Sequence, residues 1–131
     1  RAAGKCIRGA GSIVLTSTVA AHTGLPNHEA IAAAKAGVEG LARGAAATYA
    51  SRGLRCNAVA PGLVDTPLAN QITGSERALE HSRKMHPLGR IGQPDDVAAA
   101  IAWLLSSESD WVTGQVIGID GGLGKTRAQS K

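Results

Sequence analysis

Residues 11–37 read GSIVLTSTVAAHTGLPNHEAIAAAKAG, and the parsing of this stretch decides the fold. Ser12 to Thr16 is a short apolar, β-branched run behind a glycine pair, the pattern of an interior strand rather than a half-exposed one. After Thr18 the chain loosens through His22, Thr23, Gly24, Pro26 and Asn27, and Asn27 is placed to cap a helix beginning near His28. Lys35 then falls two turns inside that helix. A strand end, a hydroxyl-rich loop and a lysine one helical segment later form the layout of a nucleotide site at the carboxyl edge of a parallel sheet.

Working outward, Arg1 to Arg8 reads as a short helical remnant, the tail of a helix from something cut away, closed by Gly9 and Gly11. Downstream, the helix runs from about His28 to Ser51. Its apolar and small positions Ile31, Ala34, Val38, Leu41, Ala42, Ala45 and Tyr49 recur at three- and four-residue spacing, while Gly37, Gly40 and Gly44 keep the surface low. That face is expected to pack against the core, with a subunit contact as the alternative. Gly53 ends the helix, and Leu54 to Ala60 is a second strand joined to the first by a helical crossover, which requires parallel pairing.

Beyond Pro61-Gly62, residues 63–86 carry no strand pattern but contain helical stretches around Thr66 to Ile72 and Ser75 to Met85, separated by Gly74. A segment this long beyond a strand's carboxyl end is expected to be a substrate lid or binding loop. Pro94-Asp95-Asp96 opens a third long helix, with proline in the first turn and acids at the positive end of the dipole. It is expected to reach Ser106 and to bury Val97, Ile101, Trp103, Leu104 and Leu105. Gln115 to Asp120 is the last strand, and Asp120-Gly121-Gly122 turns the chain out. The order β, α, β, loop, α, β is half of a doubly wound sheet: an α/β, Rossmann-like fold of three parallel strands with flanking helices.

Composition narrows the function classes. The 131 residues are 44% apolar and contain no Phe, so one aliphatic core is expected. No apolar run approaches the roughly 20 residues of a membrane span, and the basic start lacks the apolar segment of a signal peptide. Cys6 and Cys56 are too few for a disulfide framework or a metal site, which points to a reducing, cytoplasmic setting. The formal charge of +4 is scattered among acids except in the tail Lys125 to Lys131, so nucleic acid is not expected as a partner. Gly124-Lys125-Thr126 imitates the end of a phosphate-binding P-loop, but Ile119 stands where the first glycine belongs and no helix follows.

Four regions, GSIVLTST (11–18), AAAKAGVEGL (32–41), RCNAVAPGLVDTP (55–67) and PLGRIGQPDDVAAAIAWLLS (87–106) followed by TGQVIGIDGG (113–122), appear in an order and spacing that resembles the carboxyl-terminal half of a classical short-chain dehydrogenase/reductase. The resemblance covers Gly11 to Gly122 and implies residues 1–124 as that half of the domain, with 125–131 a basic tail. It implies NAD or NADP as cofactor, a small carbonyl, alcohol or activated alkene as substrate, and a homo-oligomer, dimer or tetramer. It assigns Lys35 to the nicotinamide ribose, Thr18 to the substrate oxygen, and Pro61, Gly62, Val64 and Thr66 to the carboxamide. No GxGxxG follows a strand, so the family's pyrophosphate turn is not in this sequence. The resemblance also implies a strand alongside Ser12 to Ser17, without which an apolar sheet edge is exposed.

In the family a tyrosine precedes the lysine by four residues, and here that place holds Ile31, which cannot move a proton. Losing a positioned acid typically forfeits on the order of 10² to 10⁴ in rate. Thr18 occupies the place of the family's serine and can still hydrogen-bond a carbonyl oxygen, with Ser17 beside it. Related enoyl reductases set their tyrosine seven residues before the lysine, where this chain has His28, a candidate donor near neutral pH. A surface or capping role is the alternative for His28, and a scaffold or binding subunit is the alternative for the chain.

Overall fold

The computed structural model describes residues 6–127, apart from the side chains of residues 71 and 72. Three strands, β1 (Gly11–Thr16), β2 (Leu54–Pro61) and β3 (Val116–Ile119), pair in parallel in the order β1-β2-β3. The long helix α1 (Glu29–Tyr49) crosses from β1 to β2. Short α2 (Asn70–Thr73) and α3 (Glu76–Met85) occupy the segment expected to be a lid, and α4 (Pro94–Leu105) leads back to β3. The expected α/β half-sheet is therefore what forms. The remnant expected at Arg1 to Arg8 falls mostly outside the described residues, as does the end of the basic tail.

β2 is central because its small side chains let helices approach both faces. Cys56 and Ala58 meet Ala42 and Ala46 of α1, flanked by Ile13, Leu15, Ala45 and Val116. Alternation sends Arg55 and Asn57 to the opposite face. There Arg55 donates to the carbonyls of Leu104, Ser106 and Val112 and to the Ser109 hydroxyl, which places a cation at the carboxyl end of α4. Ser12 adds a 2.7 Å bond to Leu104 O. Asn57, fully buried, donates to Val112 O at 2.9 Å and accepts from Gln115 N at 3.0 Å, fixing the entry to β3. Burial pushes the Cys56 thiol pKa up, and Cys6 and Cys56 are both free thiols.

Two expected helix faces are corrected. On α1 the buried positions are Glu39, Ala42 and Ala46; of the expected face Ala42 is buried and Ala45 packs against the core, whereas Ile31 is 44% and Leu41 59% exposed. α1 is alanine-rich on every side, so periodicity does not select a face, and the close approach of α1 to β2 favours its alanines over its branched residues. A Cβ added at Gly37, Gly40 or Gly44 would meet nothing within 4 Å, so these glycines face outward instead of seating α1 on the sheet. On α4 only Leu104 is buried; Val97 and Ile101 are half-buried, and Trp103 and Leu105 are 39% and 51% exposed. Asn27 does not cap α1 either: it takes a left-handed φ of 61°, and the N-cap falls on His28, whose side chain makes no capping bond. Asparagine is among the few non-glycine residues that tolerate that region. Gly53, at φ 71°, closes the turn after α1, and its carbonyl accepts from Gly11 N at 3.1 Å, setting the start of the β1-β2 register.

Candidate functional site

Parallel pairing brings the carboxyl ends of all three strands to one edge, with Thr16 opposite Val59 and Pro61 opposite Ile119. Every residue that carries candidate chemistry lies on the segments leaving that edge. The ladder continues past β1, since Ser17 N donates to Val59 O at 2.7 Å. This fixes Thr18 as the first residue free of the sheet. Thr18 is extended and opens the one-turn helix Val19–Ala21, with its hydroxyl accepting from Ala20 N at 3.4 Å.

Lys35 reaches back from α1 to the same strand end, where its Nζ donates to Thr16 O at 2.9 Å. The carbonyl at the end of β1 thus holds the ammonium close to Thr18 along the chain. Ile31 is one turn earlier on the same side of the helix, because positions four apart share a face, and it presents only an aliphatic side chain. His28 is half-buried, with Nδ1 2.7 Å from Pro26 O. A carbonyl oxygen only accepts, so Nδ1 carries the hydrogen and Nε2 is the ring's other reactive position.

Sequence reasoning missed the residue beneath this group. Glu39 is 8% exposed and accepts a 2.7 Å bond from Ser17 Oγ, with His22 Nδ1 3.4 Å from the same carboxylate oxygen. It stands one turn beyond Lys35, and its signal was the spacing 35, 39, 42, 46, a face that mixes two charged residues with two alanines. Burying a carboxylate is expensive unless it is hydrogen-bonded. Here it ties α1 to the strand end that supports Thr18.

The second half of the site leaves β2. Gly62 N donates to Ile119 O at 3.1 Å, Gly92 N to Leu63 O at 2.8 Å, and Asp65 N to Gly92 O at 2.9 Å. Val64 thus sits in an isolated parallel bridge with Gly92. Thr66 turns its hydroxyl back toward Val64 O at 3.4 Å and accepts from Ala69 N at 3.3 Å, beginning the turn at Pro67–Ala69. Gly62 has no room for a side chain: a Cβ would lie 2.8 Å from His86 Nε2 and 3.0 Å from Asp120 Cα. Asp120 accepts from Gly122 N and Gly124 N, both at 2.9 Å, which curls the chain after β3.

Behind Gly92, Arg90 grips Asp96 through two bonds of 2.6 and 2.9 Å. The guanidinium, helped by Gln93 N, holds the Asp96 pKa down at about 2. A cavity of about 330 Å³ opens between this pair and Gly118 to Gly122. The larger cavity, about 560 Å³, is lined by Gly11, Leu54, Leu105 and Trp111. It lies at the amino ends of β1 and β2, the opposite edge from Thr18 and Lys35, and holds none of the candidate chemistry. Among the described residues no cluster of histidine, cysteine or acidic side chains suits a metal ion, and no helix is long and apolar enough to cross a membrane.

The expected residues therefore gather at one sheet edge in two groups, Thr18 with Lys35 beyond β1 and Pro61 to Thr66 beyond β2, linked through Ser17 and Val59. The family described as enoyl-(acyl carrier protein) reductase matches residues 1–124. A 3-oxoacyl-(acyl-carrier-protein) reductase of Thermotoga maritima is 49% identical over 113 residues, 86% of this chain and 45% of that protein. A short-chain type dehydrogenase/reductase of Mycobacterium ulcerans superposes with a TM-score of 0.86 at 35% identity, over 93% of this chain and 44% of that one. The structure of ElxO with NADP bound gives a TM-score of 0.82 at 32% identity, over 88% of this chain and 47% of that one. The chain spans about half the length of the relatives it matches. With that match over residues 1–124 and relatives of this identity and fold covering most of its length, this chain belongs to the short-chain dehydrogenases/reductases.

Proposed function

We propose that the protein is an NAD(P)-dependent oxidoreductase acting on a small carbonyl, alcohol or activated alkene, and that residues 1–124 are the carboxyl-terminal half of its domain, with 125–131 a basic tail. The observation that carries this reading is Lys35, whose ammonium is held by the Thr16 carbonyl at the strand end that leads into Thr18. An ammonium, a threonine hydroxyl and a turn of backbone amides suit the nicotinamide ribose and carboxamide. Lys35 would hold the ribose hydroxyls, while Pro61, Gly62, Val64 and Thr66 would orient the carboxamide. Thr18 would donate a hydrogen bond to the substrate oxygen, and His28, which can give a proton from Nε2 only in its imidazolium form because Nδ1 bonds Pro26 O, is the candidate proton donor in place of the absent tyrosine. When bound, the cofactor supplies or accepts the hydride.

The working form is proposed to be a cytoplasmic homo-oligomer, dimer or tetramer. Ile31 and Leu41 lie exposed along α1 beside outward-facing glycines, which supports a subunit contact there. Titration of NADH and NADPH by nicotinamide fluorescence tests the function. Lys35→Ala is expected to weaken cofactor binding about 10- to 100-fold, the range for a hydrogen bond to a charged group. Unchanged affinity would remove the reading.

Ile31 favours a second reading, a binding or scaffold subunit that keeps nucleotide affinity without turnover. Carbonyl reductase activity gained by Ile31→Tyr, in a protein otherwise inactive but saturable by cofactor, would establish that reading; turnover by the unaltered protein that disappears in His28→Ala would exclude it.

A further inference from the structure

His86 has no part in the scheme above, yet it joins the two segments that scheme needs. It follows α3 directly, is 3% exposed, and places Nδ1 2.7 Å from Ser82 O and Nε2 3.2 Å from Leu63 N. A carbonyl only accepts and an amide only donates, so the ring is the neutral tautomer with hydrogen on Nδ1 and a lone pair on Nε2. Its Nε2 lies 2.8 Å from where a Cβ at Gly62 would come, and its ring edge flanks Gly121. Leu63 is therefore held on both sides, the N–H of the Gly62-Leu63 peptide by His86 and the carbonyl of the Leu63-Val64 peptide by Gly92 N at 2.8 Å. The second of these peptides leads directly into Val64.

We propose that His86 is a positioning residue that fixes the Gly62-Leu63 peptide, one residue before Val64, and transmits the placement of α3 to it. The proposal rests on the reading of Val64 and Thr66 as the carboxamide contact. The chain of bonds runs Ser82 O, imidazole, Leu63 N–H. Substrate closing on α3 and cofactor seated at Val64 then bias one another, and linkage makes the coupling equal in both directions. Gly62 serves the same end, since a side chain there would displace Nε2 from its acceptor position.

Three replacements and one measurement on the unaltered protein separate the outcomes. His86→Phe keeps the ring and loses both bonds, His86→Asn can reach only Ser82 O, and the longer amide of His86→Gln can reach Leu63 N. Hydrogen exchange at the Leu63 amide and the Kd for NADH or NADPH are read on the full chain. Phe and Asn are expected to speed exchange at Leu63 and weaken cofactor about tenfold, with Gln recovering most of both. Leu63 protection unchanged in Phe and Asn, or loss of protection with Kd unchanged, overturns the proposal. A ¹⁵N spectrum of the unaltered protein with the hydrogen on Nε2 overturns it even if a variant fails to fold. If the unaltered protein shows no saturable binding, the oxidoreductase reading and the cofactor half of the coupling fall together. Leu63 exchange then decides the latch between α3 and the clamp alone.

Discussion

Replacing Ser17 with alanine removes the hydroxyl that donates to Glu39 at 2.7 Å. The carboxylate, 8% exposed, is then left with His22 at 3.4 Å as its remaining described side-chain partner. A hydrogen bond to a charged group contributes about 1.5–3 kcal/mol net, and water has little access to restore it at this depth. We expect Ser17→Ala to destabilise the protein by about 2 kcal/mol, a sizeable part of the roughly 5–15 kcal/mol typical of a domain. Glu39→Leu removes the buried charge along with its need for a donor, so the double variant should lose at least about 1 kcal/mol less than the sum of the singles. Urea unfolding at neutral pH, with the midpoint shifted and the slope unchanged, measures each corner of the cycle. Additivity within about 0.3 kcal/mol would show that Ser17 and Glu39 do not act on one another, and the support ascribed to them beneath Thr18 would be lost.

Two further outcomes follow from the second half of the site. Gly62→Ala should disturb the turn before Val64, because its Cβ would approach His86 Nε2 at 2.8 Å and Asp120 Cα at 3.0 Å; a loss of about 1–3 kcal/mol in chemical unfolding is expected, as for overpacking elsewhere, and an unaffected midpoint would refute the packing. Asp96 has its pKa lowered from 3.8 to about 2 by Arg90 and Gln93 N. A depressed carboxyl stabilises the fold above its unfolded pKa and loses that contribution as pH falls through the folded value. Stability should therefore drop between about pH 4 and pH 2 in the native protein, by a smaller amount in Asp96→Asn, and identical acid profiles would dismiss the ion pair.

The strand, helix and strand around residues 11–60 were legible because their signals are local: a β-branched run, a long helical segment, a glycine that allows positive φ, and then another apolar run. Parallel pairing followed from the length of the crossover. The proline and acids at 94–96 announced α4 in the same way. The buried faces of α1 and α4 were not legible, since alanine is compatible with either side of a helix and Trp103 and Leu105 look like core residues until their neighbours are known. Glu39 and His86 escaped for a different reason. Their partners, Ser17 and Leu63, are 22 and 23 residues away, so what satisfies a buried carboxyl or imidazole is set by tertiary geometry and leaves no periodic trace. Motif spacing names Thr18, Lys35 and the turn from Pro61 to Thr66 as candidates without needing those contacts, and their common place at the carboxyl edge follows from the parallel pairing.

The anchoring of β2 bears on how the protein is made. Arg55 finds its acceptors at Leu104, Ser106, Ser109 and Val112, Cys56 N donates to the Thr113 hydroxyl, and Asn57 waits for Gln115, at sequence separations of 49 to 58 residues. On a ribosome adding about 5–20 residues per second, the central strand spends roughly 3–12 s without the groups that satisfy it. During that interval a guanidinium and an amide side chain destined for the interior must stay hydrated, which opposes early closure of that face of the sheet. The emerging chain can pair β1 with β2 and lay α1 across them, but the other face seals only when residues 104–116 have left the exit tunnel. A ribosome stalled before that point would carry a half-closed sheet, the kind of intermediate that chaperones bind.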